Sequence, residues 1–148
     1  RSRGLDFDIS GEPAPGLKLV AAYAHTDAKV AADSDPTLVG KKLFGVPEHA
    51  ASFWATYELQ QGEAKGLGFG AGVNFKGDRQ GDLENTFRLG SYLTADAAIF
   101  YKKDDWRFAL NFKNITDAKY VESSAGNRFN STNFGDPFTV VASVSVKF

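Results

Sequence analysis

Few stretches of this 148-residue chain carry residue types at spacings that could do chemistry, and each has a plainer reading beside it. GLGFGAG, residues 66–72, invites comparison with a loop that cradles a dinucleotide phosphate. Its glycines fall at every second position, with Leu67, Phe69 and Ala71 between them, and no helical pattern follows as such a loop requires. It reads better as a strip of strand face without side chains, which allows sheet curvature or the close approach of a filling group. Asp6 and Asp8 with Ser10 have the oxygens of a hard-cation cluster; carboxylates facing Arg107 or Lys113 across a wet interior are the plainer reading. His25 and His49 flank one long connection and could approach each other, but two histidines without carboxylate spacing are a weak zinc signal beside solvated histidines at the base of a loop. No Ser-His-Asp arrangement has a nucleophile-elbow context, so an enzyme has no site to rest on.

The elements that would position these residues are strands. Counting back from Phe148, every second residue is apolar (Val146, Val144, Ala142, Val140, Phe138), and Lys147, Ser145, Ser143, Val141 and Thr139 lie between. This is the period-2 pattern of a half-buried strand. The same pattern predicts strands over residues 3–10, 17–26, 50–59, 67–76, 92–101 and 106–113, which makes seven. No apolar-face position among them is charged; Asp6, Asp8, Lys18, Glu58, Lys76, Asp96, Arg107, Lys113 and Lys147 all fall on the other face. Connections alternate strictly. Residues 11–16, 60–66 and 102–105 are short turns, whereas 27–47, 77–91 and 117–136 are long and polar. In an antiparallel meander, all short turns then lie at one end and all long loops at the other.

Composition narrows the classes. A net charge of −1, 14% aromatic residues, 15 Gly and no Cys or Met describe an ordinary globular domain by bulk measures. A membrane barrel gives the same averages, because lipid-facing and interior-facing residues alternate. No apolar run approaches the roughly eighteen residues of a spanning helix. The absence of Cys excludes a disulfide scaffold and thiolate metal sites, and the charge balance argues against a nucleic-acid partner. The start on Arg1 without Met is read as an internal starting point.

Parity cannot say which face is outside, since a soluble or small membrane β-barrel holding an apolar ligand alternates in the same way. Three features favour a lipid-facing exterior. The polar face is rich in Gly, Ser, Thr and Ala rather than the Lys and Glu of a water-exposed surface. Aromatics on the apolar face gather toward the strand ends, as at the two interfaces of a bilayer. Strands of about ten residues suit a tilted crossing. An odd number of strands cannot close a single-chain bacterial barrel, and an open edge in lipid leaves backbone groups unpaired. The expected fold is therefore all-β, an antiparallel up-and-down transmembrane β-barrel segment of about seven strands, with residues 1–148 as the C-terminal portion of a larger barrel.

At this point the residues carry a resemblance. RSRGLDFDISGEPAPGLKLVAAYAHTDA, GKKLFGVPEHAASFWATYEL, GLGFGAGVNFKGDRQGD and NFKNITDAKY, in that order and followed by a terminal aromatic, resemble the last third of a TonB-dependent siderophore receptor. The most specific piece is Asn114-Ile115-Thr116-Asp117 with Tyr120, similar to the family signature Asn-Leu-Phe-Asp-x-x-Tyr, with Ile and Thr in place of Leu and Phe. The resemblance implies a 22-stranded barrel in the bacterial outer membrane, embedded in the lipid bilayer, with a plug domain, earlier strands and a TonB-contacting segment that are absent from these residues. It implies uptake of a ferric siderophore driven by the TonB complex, with iron held by the chelator and no cofactor held by side chains. It also implies that the terminal Phe148 is read by the outer-membrane assembly machinery. The sequons at Asn114 and Asn130 are then chance matches.

Tracking strand direction puts Trp54, Asn74, Lys76, Tyr92 and Lys113 on the interior face toward the outer end, and the loops add Phe44, Arg79, Phe87, Arg88, Arg128, Phe129 and Phe134. Aromatic and Arg side chains suit a bulky, often anionic iron chelate through apolar contact and charge-assisted hydrogen bonds. Loop aromatics that pack loop on loop are the alternative.

Overall fold

The computed structural model describes residues 1–126 and 132–147. It is all-β, with β1 (Ser2–Ala14), β2 (Leu17–Ala28), β3 (His49–Glu58), β4 (Leu67–Lys76), β5 (Arg79–Gln80), β6 (Arg88–Leu89), β7 (Tyr92–Lys103), β8 (Trp106–Lys113), β9 (Val121–Ser124), β10 (Thr132–Phe134) and β11 (Thr139–Val146). Seven of these form one antiparallel sheet in the order β1-β2-β3-β4-β7-β8-β11, each long strand pairing with the next long one along the chain. The meander keeps the short turns at one end and the three long connections at the other. β5-β6 and β9-β10 are two small ribbons inside the second and third long connections; two to four residues are too few to show a period in sequence. Among the described residues no helix is long and apolar enough to cross a membrane, which bears on helices only.

β4 and β8 have the bounds that alternation predicts. The first turn does not span residues 11–16 as expected. β1 runs on to Ala14 through a register irregularity after Gly11, and the chain reverses at Pro15 and Gly16. Pro13 is tolerated there because β1 is an edge strand with no neighbour on its far side among the described residues. At the turn after β7, Asp104 takes a positive φ of 51°, so that Lys103 pairs directly with Trp106.

Burial settles the orientation that parity leaves open. The apolar face is bare: Phe7 is 61% exposed and Val144 60%, with Ile9, Phe53, Phe69, Leu93, Ile99, Phe108 and Leu110 also open. On the opposite face Thr94 and Ala98 are buried, and Phe100 is 7% exposed. A continuous apolar sheet face of this extent is not left to water in a soluble domain; hydrocarbon satisfies it. Over β4 and β7 the small-residue face is the packed one, whereas β1 and nearly all of β11 are exposed on both faces.

The glycine strip explains that packing, and the groups that approach it closely come from the neighbouring strands. A Cβ on Gly72 would stand 2.2 Å from the Trp54 ring and 2.5 Å from the Phe53 carbonyl oxygen; one on Gly70 would stand 2.8 Å from Trp54, and one on Gly68 2.2 Å from Phe100. Trp54 is the cross-strand partner of Gly72 from β3, and Phe100 the partner of Gly68 from β7. The strip is bare of its own side chains because two neighbouring aromatics lie across it. Gly72→Ala is therefore expected to cost about 1–3 kcal/mol by overpacking, read by thermal unfolding in detergent. Trp54→Ala in the same background should recover only part of the loss, since the clash with the Phe53 carbonyl remains.

Candidate functional site

At the long-loop end of the packed face, the register lines up Lys76 of β4 with Tyr92 of β7. The Tyr92 ring is the centre of a stack. Tyr120 lies on it with ring centroids 4.0 Å apart and 25° between planes, while the Arg79 guanidinium and the Lys76 amino group stand 5.2 and 5.8 Å from its centroid. Cations over an aromatic face are attracted by the ring quadrupole. Tyr120 also covers Gly135, where a Cβ would come within 2.0 Å of its ring, and its backbone carbonyl accepts the Gly135 N–H at 3.0 Å. Burial pushes the Tyr120 hydroxyl above the ordinary tyrosine range.

Arg79 is 3% exposed. Its Nη2 donates to the carbonyls of Val121 (2.6 Å) and Glu122 (2.8 Å), and its Nη1 reaches the Gly77 carbonyl at 3.4 Å. The planar guanidinium fork thus holds the second long connection to the start of the third. The first and second are joined as well. Asn85, in the left-handed region at φ 57°, donates to the Lys42 carbonyl at 2.8 Å and accepts the Lys42 N–H at 2.9 Å. Gly45 N–H donates to the Gln80 carbonyl at 2.8 Å, beside an isolated parallel bridge between Phe44 and Gln80. All three loops are stitched together by backbone-directed polar bonds.

The signature residues close the same end. Asn114 is 3% exposed with φ 50°. Its Nδ2 donates to the carbonyls of Ala118 (3.0 Å) and Asp136 (2.9 Å), and its Oδ1 accepts the Ala118 N–H at 2.9 Å. Its backbone N–H donates to Asp96 of β7 at 2.7 Å, a carboxylate that also accepts from Asn74 Nδ2 at 3.2 Å. Asp117, at φ 47°, accepts the Lys119 amino group at 2.8 Å and the Phe138 N–H at 3.0 Å. Those two bonds, the lysine first, hold its carboxyl below the ordinary aspartate range. The motif is a knot that turns the chain out of β8 and returns it into β11.

The remaining sequence-predicted residues fall into distinct settings. Trp54 lies mid-strand, level with Gly72 and Asp96, rather than near the loops. Phe44 is exposed at the rim, as is Phe134. Phe87 folds over Gly81, and Arg88 is exposed, 3.5 Å from Asp78. Lys113 is exposed at the end of β8. Arg128, Phe129, Asn130 and Phe148 lie outside the described residues. Asp6 and Asp8 do not meet Arg107 or Lys113, because β1 and β8 are separated by β2, β3, β4 and β7 in the meander. They instead line one side of a cavity of about 260 Å³, floored by Ala22, Ala24, Ala50 and Ser52, with Asn74 and Lys76 opposite. Sequence reasoning missed the roles of Asp96 and Asn85. A charge on an interior face and an Asn in a polar loop give no hint of partners that only the register brings near.

The chain is similar in sequence and in fold to known proteins. Residues 1–115 fit the family model described as TonB dependent receptor-like, beta-barrel. The chain is 33% identical over 150 residues to the metal-pseudopaline receptor CntO of Pseudomonas aeruginosa (strain UCBPP-PA14), covering all of this chain and 21% of that protein. It is 32% identical over 155 residues to the ferrichrome outer membrane transporter/phage receptor of Escherichia coli (strain K12), again covering all of this chain and 20% of that one. The pyoverdine outer membrane receptor FpvA of Pseudomonas aeruginosa PAO1, bound to pyoverdine, superposes with a TM-score of 0.74 and 26% identity, over 99% of this chain and 21% of that structure. The chain thus spans about a fifth of the length of the curated relatives it matches.

Proposed function

The chain belongs to the TonB-dependent receptor-like β-barrel family, and on that premise we propose that it is the C-terminal wall, with three extracellular loops, of an outer-membrane receptor for TonB-driven uptake of a ferric siderophore. One observation carries this: the sheet is inverted relative to a soluble barrel, with its apolar face bare and its small-residue face packed. A soluble barrel around an apolar ligand would need the opposite arrangement; a small membrane barrel would share this one, and the family match over residues 1–115 favours the receptor over it. The outer edges of β1 and β11 take no partner among the described residues, which fits a segment completed by earlier strands of a larger, 22-stranded barrel enclosing a plug. Backbone groups at those edges would otherwise face lipid unpaired. TonB engages a segment outside these residues, and the assembly machinery inserts the finished barrel.

Within this wall the candidate contacts divide by setting. Phe44, Arg88 and Phe134 are exposed on the stitched loops and face an incoming chelate, and Arg128 and Phe129 belong to the same third loop. Tyr92, with Lys76 beside it, forms the floor, and Trp54 lies deeper on the interior face. Arg79 acts by holding two loops in place. The iron stays with the chelator as cargo.

The test is uptake of radiolabelled iron by iron-limited cells carrying the full-length receptor, offered hydroxamate, catecholate and carboxylate siderophores in turn. One class should enter in a TonB-dependent manner. Phe44→Ala with Arg88→Ala should weaken apparent affinity by about tenfold, equivalent to about 1.4 kcal/mol, and Trp54→Ala and Tyr92→Ala should weaken it as well. Uptake equal with and without TonB would overturn the reading, and unchanged affinity in all four positions would remove the assignment of contacts.

A further inference from the structure

Among groups that siderophore uptake leaves unused, the histidine pair is the one the fold has built into a geometry. His25 and His49 stand at opposite ends of the first long connection, yet the β2–β3 register makes them direct cross-strand partners. Their ring centroids are 4.8 Å apart with 31° between planes. Strand alternation places both on the face of Tyr23, the apolar outer face, one row beyond it toward the loops. They are therefore on the outside of the wall at its rim, away from the interior stack around Tyr92.

Both rings use the same nitrogen for a bond within the protein. His25 Nδ1 lies 3.1 Å from the Glu48 carbonyl oxygen, and His49 Nδ1 lies 2.8 Å from the Tyr23 hydroxyl. A carbonyl oxygen can only accept, so the neutral ring of His25 carries its proton on Nδ1 and has its lone pair on Nε2. The Tyr23 hydroxyl can accept as well as donate, which allows His49 the same tautomer. One ring nitrogen donating to an oxygen that fixes the ring, the other free, is how metal-bound histidines are held.

We propose that His25 and His49 form a two-nitrogen site, through Nε2 of each, for a borderline divalent transition-metal ion on the outer rim of the wall. Two metal–nitrogen bonds of about 2.0–2.1 Å each require the two Nε2 atoms to come within about 3–4 Å of one another; the rings are cross-strand neighbours with centroids 4.8 Å apart, and metal binding turns them toward one ion. The nearby Glu48 carboxylate is taken by the Lys42 amino group, and among the described residues no group of three metal-ligating side chains forms, so water completes the coordination. Imidazole without carboxylate selects Cu²⁺ over Ni²⁺ and Zn²⁺ and discriminates against Mg²⁺ and Ca²⁺. Tyr23 is a positioning residue.

The experiment titrates the full-length receptor in detergent with copper(II), zinc(II) or calcium chloride alone, by calorimetry and, for copper, by electron paramagnetic resonance. The wild type should show a copper signal with coupling to two nitrogens. His25→Gln and His49→Gln should each reduce the signal to one nitrogen or none and weaken copper and zinc binding by more than about tenfold, while the receptor keeps its heat-modifiable migration. Tyr23→Phe should weaken binding less than either, with two nitrogens retained. Wild-type binding in both histidine variants, a wild-type spectrum with fewer than two nitrogens, or calcium competing on equal terms would overturn the site.

Discussion

Replacing Asn114 with alanine is expected to lower the stability of the folded receptor by about 2–4 kcal/mol, even though the residue lies in a loop. Three side-chain bonds vanish, to the Ala118 carbonyl, the Ala118 N–H and the Asp136 carbonyl, at a position only 3% exposed. Water cannot readily replace them there, and each buried group left unpaired costs about 1–3 kcal/mol. A second contribution comes from the backbone, because the residue sits at φ 50°, where Asn is tolerated and a residue with a plain Cβ costs about 1–2 kcal/mol. Glycine separates the two. Asn114→Gly should recover the backbone part and keep the loss of bonds, so it should fall between wild type and alanine in urea unfolding from lipid vesicles. An alanine variant within about 0.5 kcal/mol of wild type, the range of an ordinary surface substitution, would make the knot incidental. If the knot holds as argued, protease should cut the alanine variant first between β8 and β11, since Asn114 and Asp117 both reach across to that returning segment at Asp136 and Phe138.

That knot shows where sequence reading succeeds and where it stops. Asn114, Asp117 and Tyr120 can be picked out by resemblance to a motif, and the period-2 alternation places β4 and β8 to the residue. Neither says what the motif does, because its partners Asp96 and Asp136 lie 18 and 22 residues away and meet it only through the meander. The glycine strip is legible only to the same limit. Absence of side chains is visible in sequence, but the Trp54 and Phe100 rings that fill the space arrive from neighbouring strands through the register. Arg79 is the sharper case. An Arg in a polar loop suggests an anion contact, yet its guanidinium is spent on backbone carbonyls of a connection 42 residues further on. Residue type reports capacity for an interaction, and environment decides whether that capacity is already used. His25 and His49 run the other way: a weak signal at a spacing of 24 positions becomes a facing pair once β2 and β3 are in register.

Val73→Lys and Asn74→Lys place the same cation on adjacent residues of β4 and should differ by several kcal/mol. Val73 lies on the apolar face, paired with Phe53 on one side and Ala95 on the other, near the middle of the strand. In a bilayer its lysine would stand in hydrocarbon, which costs about 2–4 kcal/mol near the midplane of an outer-membrane barrel. Asn74 points to the interior face, where its Nδ2 already donates to Asp96 at 3.2 Å. A lysine there keeps a donor within reach of that carboxylate and stays in a wet interior, so its cost should be within about 1 kcal/mol, as for exposed ion pairs. Equilibrium unfolding in vesicles measures both. Equal losses would mean that neither face contacts lipid differently from the other, and the inversion on which the outer-membrane reading rests would go with them. A larger loss for Asn74→Lys would reverse the sheet, with the apolar face inward around a ligand. Strand position, backbone pairing and the introduced side chain are nearly the same in the two variants, so the contrast reads the face alone.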